Sequence, residues 1–168
     1  MKNWKDTLKD LLQTVVTSLV IVFLLTTFIL IPVRVEGRSM YPLLKEGDIG
    51  ISFILGKHFG IKRFDIVVLR SDRLSYPIVK RIIGFPGETV SCHENTLYVN
   101  GVAVEEEFLA EDVITADFEI ELKEDEYFVL GDNRGVSRDS RYYGPFSSDE
   151  ILSKDILVFW PFSEAGLK

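Results

Sequence analysis

Residues 11–33 carry no charged side chain. About 23 residues make an α-helix of roughly 34 Å, and a bilayer core is about 30 Å thick. The run LVIVFLLTTFILI puts Leu, Ile, Val and Phe on every helical face. It therefore lacks the polar stripe of a helix that lies on a membrane surface. Trp4 stands where an interfacial anchor belongs. A cleaved signal peptide is the competing reading, but the apolar stretch is longer than such a core and no small-x-small site follows it. The expected layout is a cytoplasmic N-terminus at 1–10, a single transmembrane helix at 11–33 and an extracytoplasmic domain at 34–168. Orientation rests on Lys2, Lys5 and Lys9 before the span against Arg34 and Arg38 after it, by the positive-inside rule.

The remaining length suits one domain. The chain has 168 residues, a net charge of -7 and 12% aromatic residues. An acidic balance argues against a nucleic-acid partner, and the aromatic content argues against disorder. Cys92 is the single cysteine, so no intrachain disulfide can form. Only His58 and His93 could join it around a zinc ion, and no cluster has ligand spacing, so neither a metal nor an organic cofactor is expected. A Ser-His-Asp triad would have to use one of those two histidines.

After Pro32 the pattern turns to short β-type runs between turn signals. FDIVVL (64–69), YPIVKRII (76–83), the segment at 127–130 and that at 156–160 read as strands. LYV-NG-VAV reads as a hairpin, with Asn100-Gly101 in a two-residue type I′ turn. The acidic stretch 105–126 reads as a solvated loop or part of a small excursion, about 91–126, from the main sheet. The expected fold class is mainly β: an N-terminal helix followed by an antiparallel sheet domain.

Three polar islands stand out. In VEGRSMYPLLKEGD (35–48), Ser39 follows Gly37 by two residues, which fits either a plain juxtamembrane turn or a nucleophile held by a tight one. In YPIVKRIIGFPGE (76–88), Lys80 and Arg81 point to opposite faces of an apolar strand. Lys80 shares its face with Ile78 and Ile82. Either it is desolvated, with a lowered pKa that suits a base, or it sits on an edge and snorkels to water. GDNRGVSRDSRYYG (131–144) interleaves Asp and Arg as a solvated loop or as an ion-paired support for a site.

Together, GRSMYPLLKEGD, RFDIVVL, VKRIIGFPGE, LYVNG and GDNRGVSRDSRYYGP, behind an N-terminal span, resemble the bacterial type I signal peptidases. The likeness is to their short, single-span, Gram-positive-like form, and it covers nearly the whole chain. These are membrane-bound serine endopeptidases of the Ser-Lys type. The resemblance implies Ser39 as nucleophile and Lys80 as general base, a pairing that needs no histidine. It implies Ser137 as a hydrogen-bonding orienter of Lys80, Asp132 paired with Arg81, and Asp139 paired with Arg141. It implies Val35, Met40, Leu44 and Val79 as walls of shallow pockets for small residues at the first and third positions before the cut.

The family's oxyanion hole uses the backbone N–H of the nucleophile. Many members add a hydroxyl from two residues earlier, where this chain has Gly37, so the second donor falls to a backbone N–H or a water. The implied partners are signal peptides of exported preproteins and the lipid bilayer, with room for the secretion translocase and none for nucleic acid. The runner-up is a catalytically dispensable relative serving pilus or surface-protein assembly. A Ser-Lys self-cleaving repressor would carry a DNA-binding domain in place of the span.

Overall fold

The computed structural model describes residues 3–110 and 112–168. Helix α1 (Trp4–Phe28) starts from Asn3, whose side chain accepts from the Lys5 backbone N–H, and closes with Ile29 N–H on the Leu25 carbonyl. Its segment Trp4–Leu25 is long and apolar enough to cross a membrane, and none of that stretch is buried against the rest of the chain. The helix does not run to residue 33 as the uncharged stretch suggested. Residues Leu30–Arg34 form strand β1 instead. Pro32 explains the break: it lacks an N–H and its ring would strike the carbonyl four residues back in a helix. It is tolerated in β1 because that strand lies at the sheet edge and pairs only with its neighbour.

The other strands are β2 (Ile49–Phe53), β3 (Ile66–Leu69), β4 (Ile78–Gly84), β5 (Thr89–His93), β6 (Thr96–Val99), β7 (Val102–Val104), β8 (Phe118–Glu121), β9 (Glu126–Leu130), β10 (Phe146–Ser147), β11 (Ile151–Trp160) and β12 (Gly166–Leu167). A short helix, α2 (Ser140–Tyr143), lies between β9 and β10. The large sheet runs β1-β2-β11-β3-β4-β9-β10, with β12 beside β11, and a smaller sheet runs β7-β6-β5-β8. Every pairing is antiparallel.

The smaller sheet runs from Thr89 to Glu121, in the region where an excursion at about 91–126 was expected. Asn100 and Gly101 both have positive φ, 51° and 76°, as a type I′ hairpin turn requires. The acidic stretch is more ordered than its charge suggested. In β8 the apolar Phe118 and Ile120 pack inward, while Glu119 and Glu121 alternate outward.

Strand β3 is buried on both faces, which is why its sequence is apolar without interruption. Ile66 and Val68 join Val33, Val35, Met40 and Leu44 in one core cluster, whereas Val67 and Leu69 join Ile82, Val129 and Phe146 in another. Strand β4 runs between these clusters, with Val79 facing the first and Ile78 and Ile82 facing the second. Lys80 and Arg81 thus sit in a buried stretch of an interior strand.

Candidate active site

Ser39 lies in the loop that follows β1. The loop is closed at its base, where Val35 N–H donates to the Asp48 carbonyl at 2.8 Å and Gly47 N–H to the Val35 carbonyl at 3.0 Å. Met40 and Leu44 fold back into the core and are 2% and 0% exposed, so the chain on either side of Ser39 is anchored. Gly37 takes φ +82°, with nothing within 4 Å of where a Cβ would stand. Backbone strain, and not lack of space, is what excludes a side chain there.

Lys80 approaches from β4, opposite Val67 on β3. Its Nζ lies 2.8 Å from Ser39 Oγ and donates to the Val79 carbonyl at 2.8 Å. The residue is 3% exposed. Burial pushes its pKa down from 10.5 to about 8, against the opposing fields of Asp139 and Asp132.

Those two carboxylates are already taken. Arg81 grips Asp132 through Nε at 2.8 Å and Nη2 at 2.6 Å, and Arg141 grips Asp139 through Nε at 2.9 Å and Nη2 at 2.8 Å. Among the described residues Lys80 forms no ion pair. Each nearby anion carries its own guanidinium in a forked geometry, so the pull of both on the ammonium is outweighed by burial. The two pairs expected from the resemblance are therefore present, and their chemical consequence is to leave Lys80 to desolvation.

Two expectations are corrected. Ser137 does not hydrogen-bond Lys80: among the described residues its Oγ is buried without a partner, packed over Gly131, while the lysine's bonds go to Ser39 and Val79. Leu44 does not line the groove. Its N–H bonds to the Met40 carbonyl at 2.9 Å, which turns the side chain into the core behind the loop. Val35, Met40 and Val79 do line a groove of about 520 Å³ that runs from β1 past Ser39 and Lys80.

This geometry meets a family pattern. A family model described as signal peptidase, peptidase S26, matches residues 8–160. The chain belongs to that family. It is 35% identical to a signal peptidase IB of Staphylococcus aureus (strain Mu50 / ATCC 700699) over 178 aligned positions, covering 93% of each chain. It is also 35% identical to a signal peptidase I of Bacillus licheniformis, covering 96% of this chain and 94% of that one. A crystal structure of a signal peptidase I from Enterococcus faecalis superposes with a TM-score of 0.52 at 36% identity, covering 56% of this chain and 96% of that chain.

Within the family's polar island, sequence reasoning assigned no role to Asn133, Arg134 or Ser140. Asn133 N–H donates to the Ser39 carbonyl at 2.9 Å, and Ser140 Oγ accepts from Val129 N–H at 2.9 Å. Arg134 is buried, and its Nε donates to the Gly131 carbonyl at 3.0 Å. A backbone donor such as Asn133 leaves no trace in residue type. For Arg134 the signal was weaker: the island holds two arginines, Arg134 and Arg138, beyond the partners of its two aspartates.

Proposed function

We propose that this chain is a membrane-anchored serine endopeptidase that removes signal peptides from exported preproteins through a Ser39-Lys80 dyad. The observation that carries the reading is a buried lysine amine, without a carboxylate partner among the described residues, 2.8 Å from a serine hydroxyl at the rim of a groove. A serine hydroxyl is a weak nucleophile until a base takes its proton, and Lys80 is neutral often enough near pH 8 to do so.

Neutral Lys80 accepts the Ser39 proton as Oγ attacks the scissile carbonyl. The Ser39 backbone N–H faces the developing oxyanion. The ammonium then returns its proton to the departing amine, leaving an acyl ester on Ser39. A water activated by Lys80 hydrolyses the ester and frees the serine.

Val35, Met40 and Val79 form walls that leave room for small residues at the first and third positions before the cut. The peptide lies extended beside the edge strand β1 and the part of β4 before Arg81, which β9 leaves unpaired among the described residues, as an added strand. Helix α1 supplies the anchor, with its N-terminus cytoplasmic and the sheets on the extracytoplasmic side, where preproteins emerge. Tethering there raises the local substrate concentration. The secretion translocase fits as a neighbour on the same face. The intact, contacting Ser39 and Lys80 favour this reading over an accessory role in surface assembly.

The test is incubation of the detergent-solubilised chain with a preprotein, followed by sequencing of the new N-terminus. Ser39→Ala and Lys80→Ala should each lower kcat by on the order of 10³ or more, and the double variant should be hardly worse. Normal cleavage by purified Ser39→Ala would end the assignment.

A further inference from the structure

The acidic stretch plays no part in the chemistry above, yet three of its residues reach the groups that support the site. Glu106 holds Arg134 with both carboxylate oxygens, Oε2 accepting from Nη1 at 3.2 Å and Oε1 from Nη2. The pair is enclosed, the Arg134 side chain being 1% exposed and that of Glu106 10%. Thr115, further along the stretch, accepts from the same Nη1 through Oγ1 at 2.7 Å. The guanidinium, held in this way, donates through Nε to the Gly131 carbonyl at 3.0 Å.

Gly131 opens the turn in which Asn133 N–H binds the Ser39 carbonyl at 2.9 Å. A second prong reaches the base. The ring of Phe108 lies under Arg81, 3.8 Å from ring centroid to Cζ, and Arg81 is the residue after Lys80. Glu105 and Glu107, on either side of Glu106, are exposed.

We infer that Glu106 is a positioning residue for peptide-bond cleavage, fixing through Arg134 the Gly131–Asn133 turn that holds the Ser39 carbonyl and so aims Ser39 Oγ at Lys80. The inference rests on the dyad reading above. A buried guanidinium needs a carboxylate, and a forked pair sets its plane as well as its place. That plane sets the direction of Nε toward the Gly131 carbonyl. Fixing the Ser39 carbonyl fixes its backbone ψ, and with it the line from Oγ to Nζ. Displacements of about 1 Å at such a contact slow reactions by up to about 10²-fold. The groove walls at Val35 and Val79 lie outside this chain of bonds, so substrate affinity should be spared.

The test uses the full, detergent-solubilised chain with a signal-peptide substrate, well below the melting temperature of every variant. Glu106→Gln keeps an acceptor but removes the charge, and should lower kcat by about 10-fold with KM within about twofold. Thr115→Val, a milder change, should lower kcat by about threefold, and it decides the matter if Glu106→Gln does not fold. Glu105→Gln and Glu107→Gln should match the unmodified chain. Arg134→Lys combined with Glu106→Gln should be no slower than Arg134→Lys alone, because both changes act on one path.

Unchanged kcat in Thr115→Val and in any folded Glu106→Gln would overturn the inference. So would a fall in kcat matched by an equal rise in KM, or losses that multiply in the double variant. Ser39→Ala, run in parallel, separates the two ideas: if it still cleaves, the dyad reading fails, and if it is inert while Glu106→Gln is normal, only the positioning role fails.

Discussion

Replacing Lys80 with Met should remove activity and, near neutral pH, also remove a burden on the fold. Lys80 titrates at about 8 in the folded chain against 10.5 when solvated. Each pKa unit is about 1.4 kcal/mol, so enclosing the ammonium costs about 3 kcal/mol at pH values below about 8. Between about pH 8 and 10.5 the unfolded chain binds this proton more readily than the folded one, so stability rises with pH across that window. Above it both states are neutral and the cost is gone.

Lys80→Met removes this titration and also loses the bonds to Ser39 and Val79, which are worth about 1 kcal/mol each. Those losses depend little on pH, so the informative quantity is the stability difference between variant and parent as a function of pH. It should change by about 2–3 kcal/mol in the parent's favour between pH 7 and pH 10. Urea unfolding in detergent, followed by tryptophan fluorescence, measures it. A difference that stays flat across that range, or moves the other way, would refute the claim that burial holds Lys80 neutral.

The same titration should appear in catalysis: kcat/KM should rise with pH through a midpoint near 8 and persist in a variant lacking His58 and His93. Arg141→Gln frees the Asp139 carboxylate from its forked partner, so the midpoint should move to higher pH, and a midpoint that stays or falls speaks against the shielding described above. Gly131→Ala would place a Cβ 2.5 Å from the Ser39 carbonyl oxygen and closer still to Ser137 Oγ, so kcat should fall on the order of 10²-fold, checked against an unchanged far-ultraviolet circular dichroism spectrum. Asp132→Ala strands the buried Arg81 and should destabilise the chain by about 3–5 kcal/mol, with the melting temperature and activity falling together.

The sequence made some of this visible and hid the rest for physical reasons. The strand at β3 and the turn at Asn100-Gly101 were legible because an uninterrupted apolar run and a positive-φ pair each have one ready explanation. Strand β2 and the first half of β11 were not, because each carries a serine in the core. Ser52 Oγ and Ser153 Oγ satisfy one another at 2.8 Å, a pairing between distant positions that no local pattern announces. Asp155, at φ +58° in a bulge, breaks the alternation of β11 as well. The helix end was misplaced because hydropathy does not distinguish a membrane span from the apolar edge strand that continues it, whereas Pro32 does. Lys80 was legible as a residue out of place in an apolar strand. Its freedom from Asp132 and Asp139 was not, because that depends on where two arginines point.

The passage from helix to sheet also acts as a measuring stick. Helix α1 ends at Phe28 and β1 begins at Leu30, so Ile29 alone joins them, and its carbonyl is tied to Ile54 N–H at 2.9 Å. The five extended residues of β1 span roughly 17 Å at about 3.3 Å per residue. On the proposed reading, with α1 in the bilayer, the groove would stand at a set height above the membrane, with little slack with which to seek its substrate. On that reading, a preprotein whose own apolar segment lies beside α1 would reach the groove with roughly five extended residues between that segment and the scissile bond. Shorter spacers fall short, and longer ones must be ordered at an entropic cost. On the proposed reading, inserting residues beside Ile29 should move the preferred spacer with them, and this one-residue joint would help set where exported chains begin.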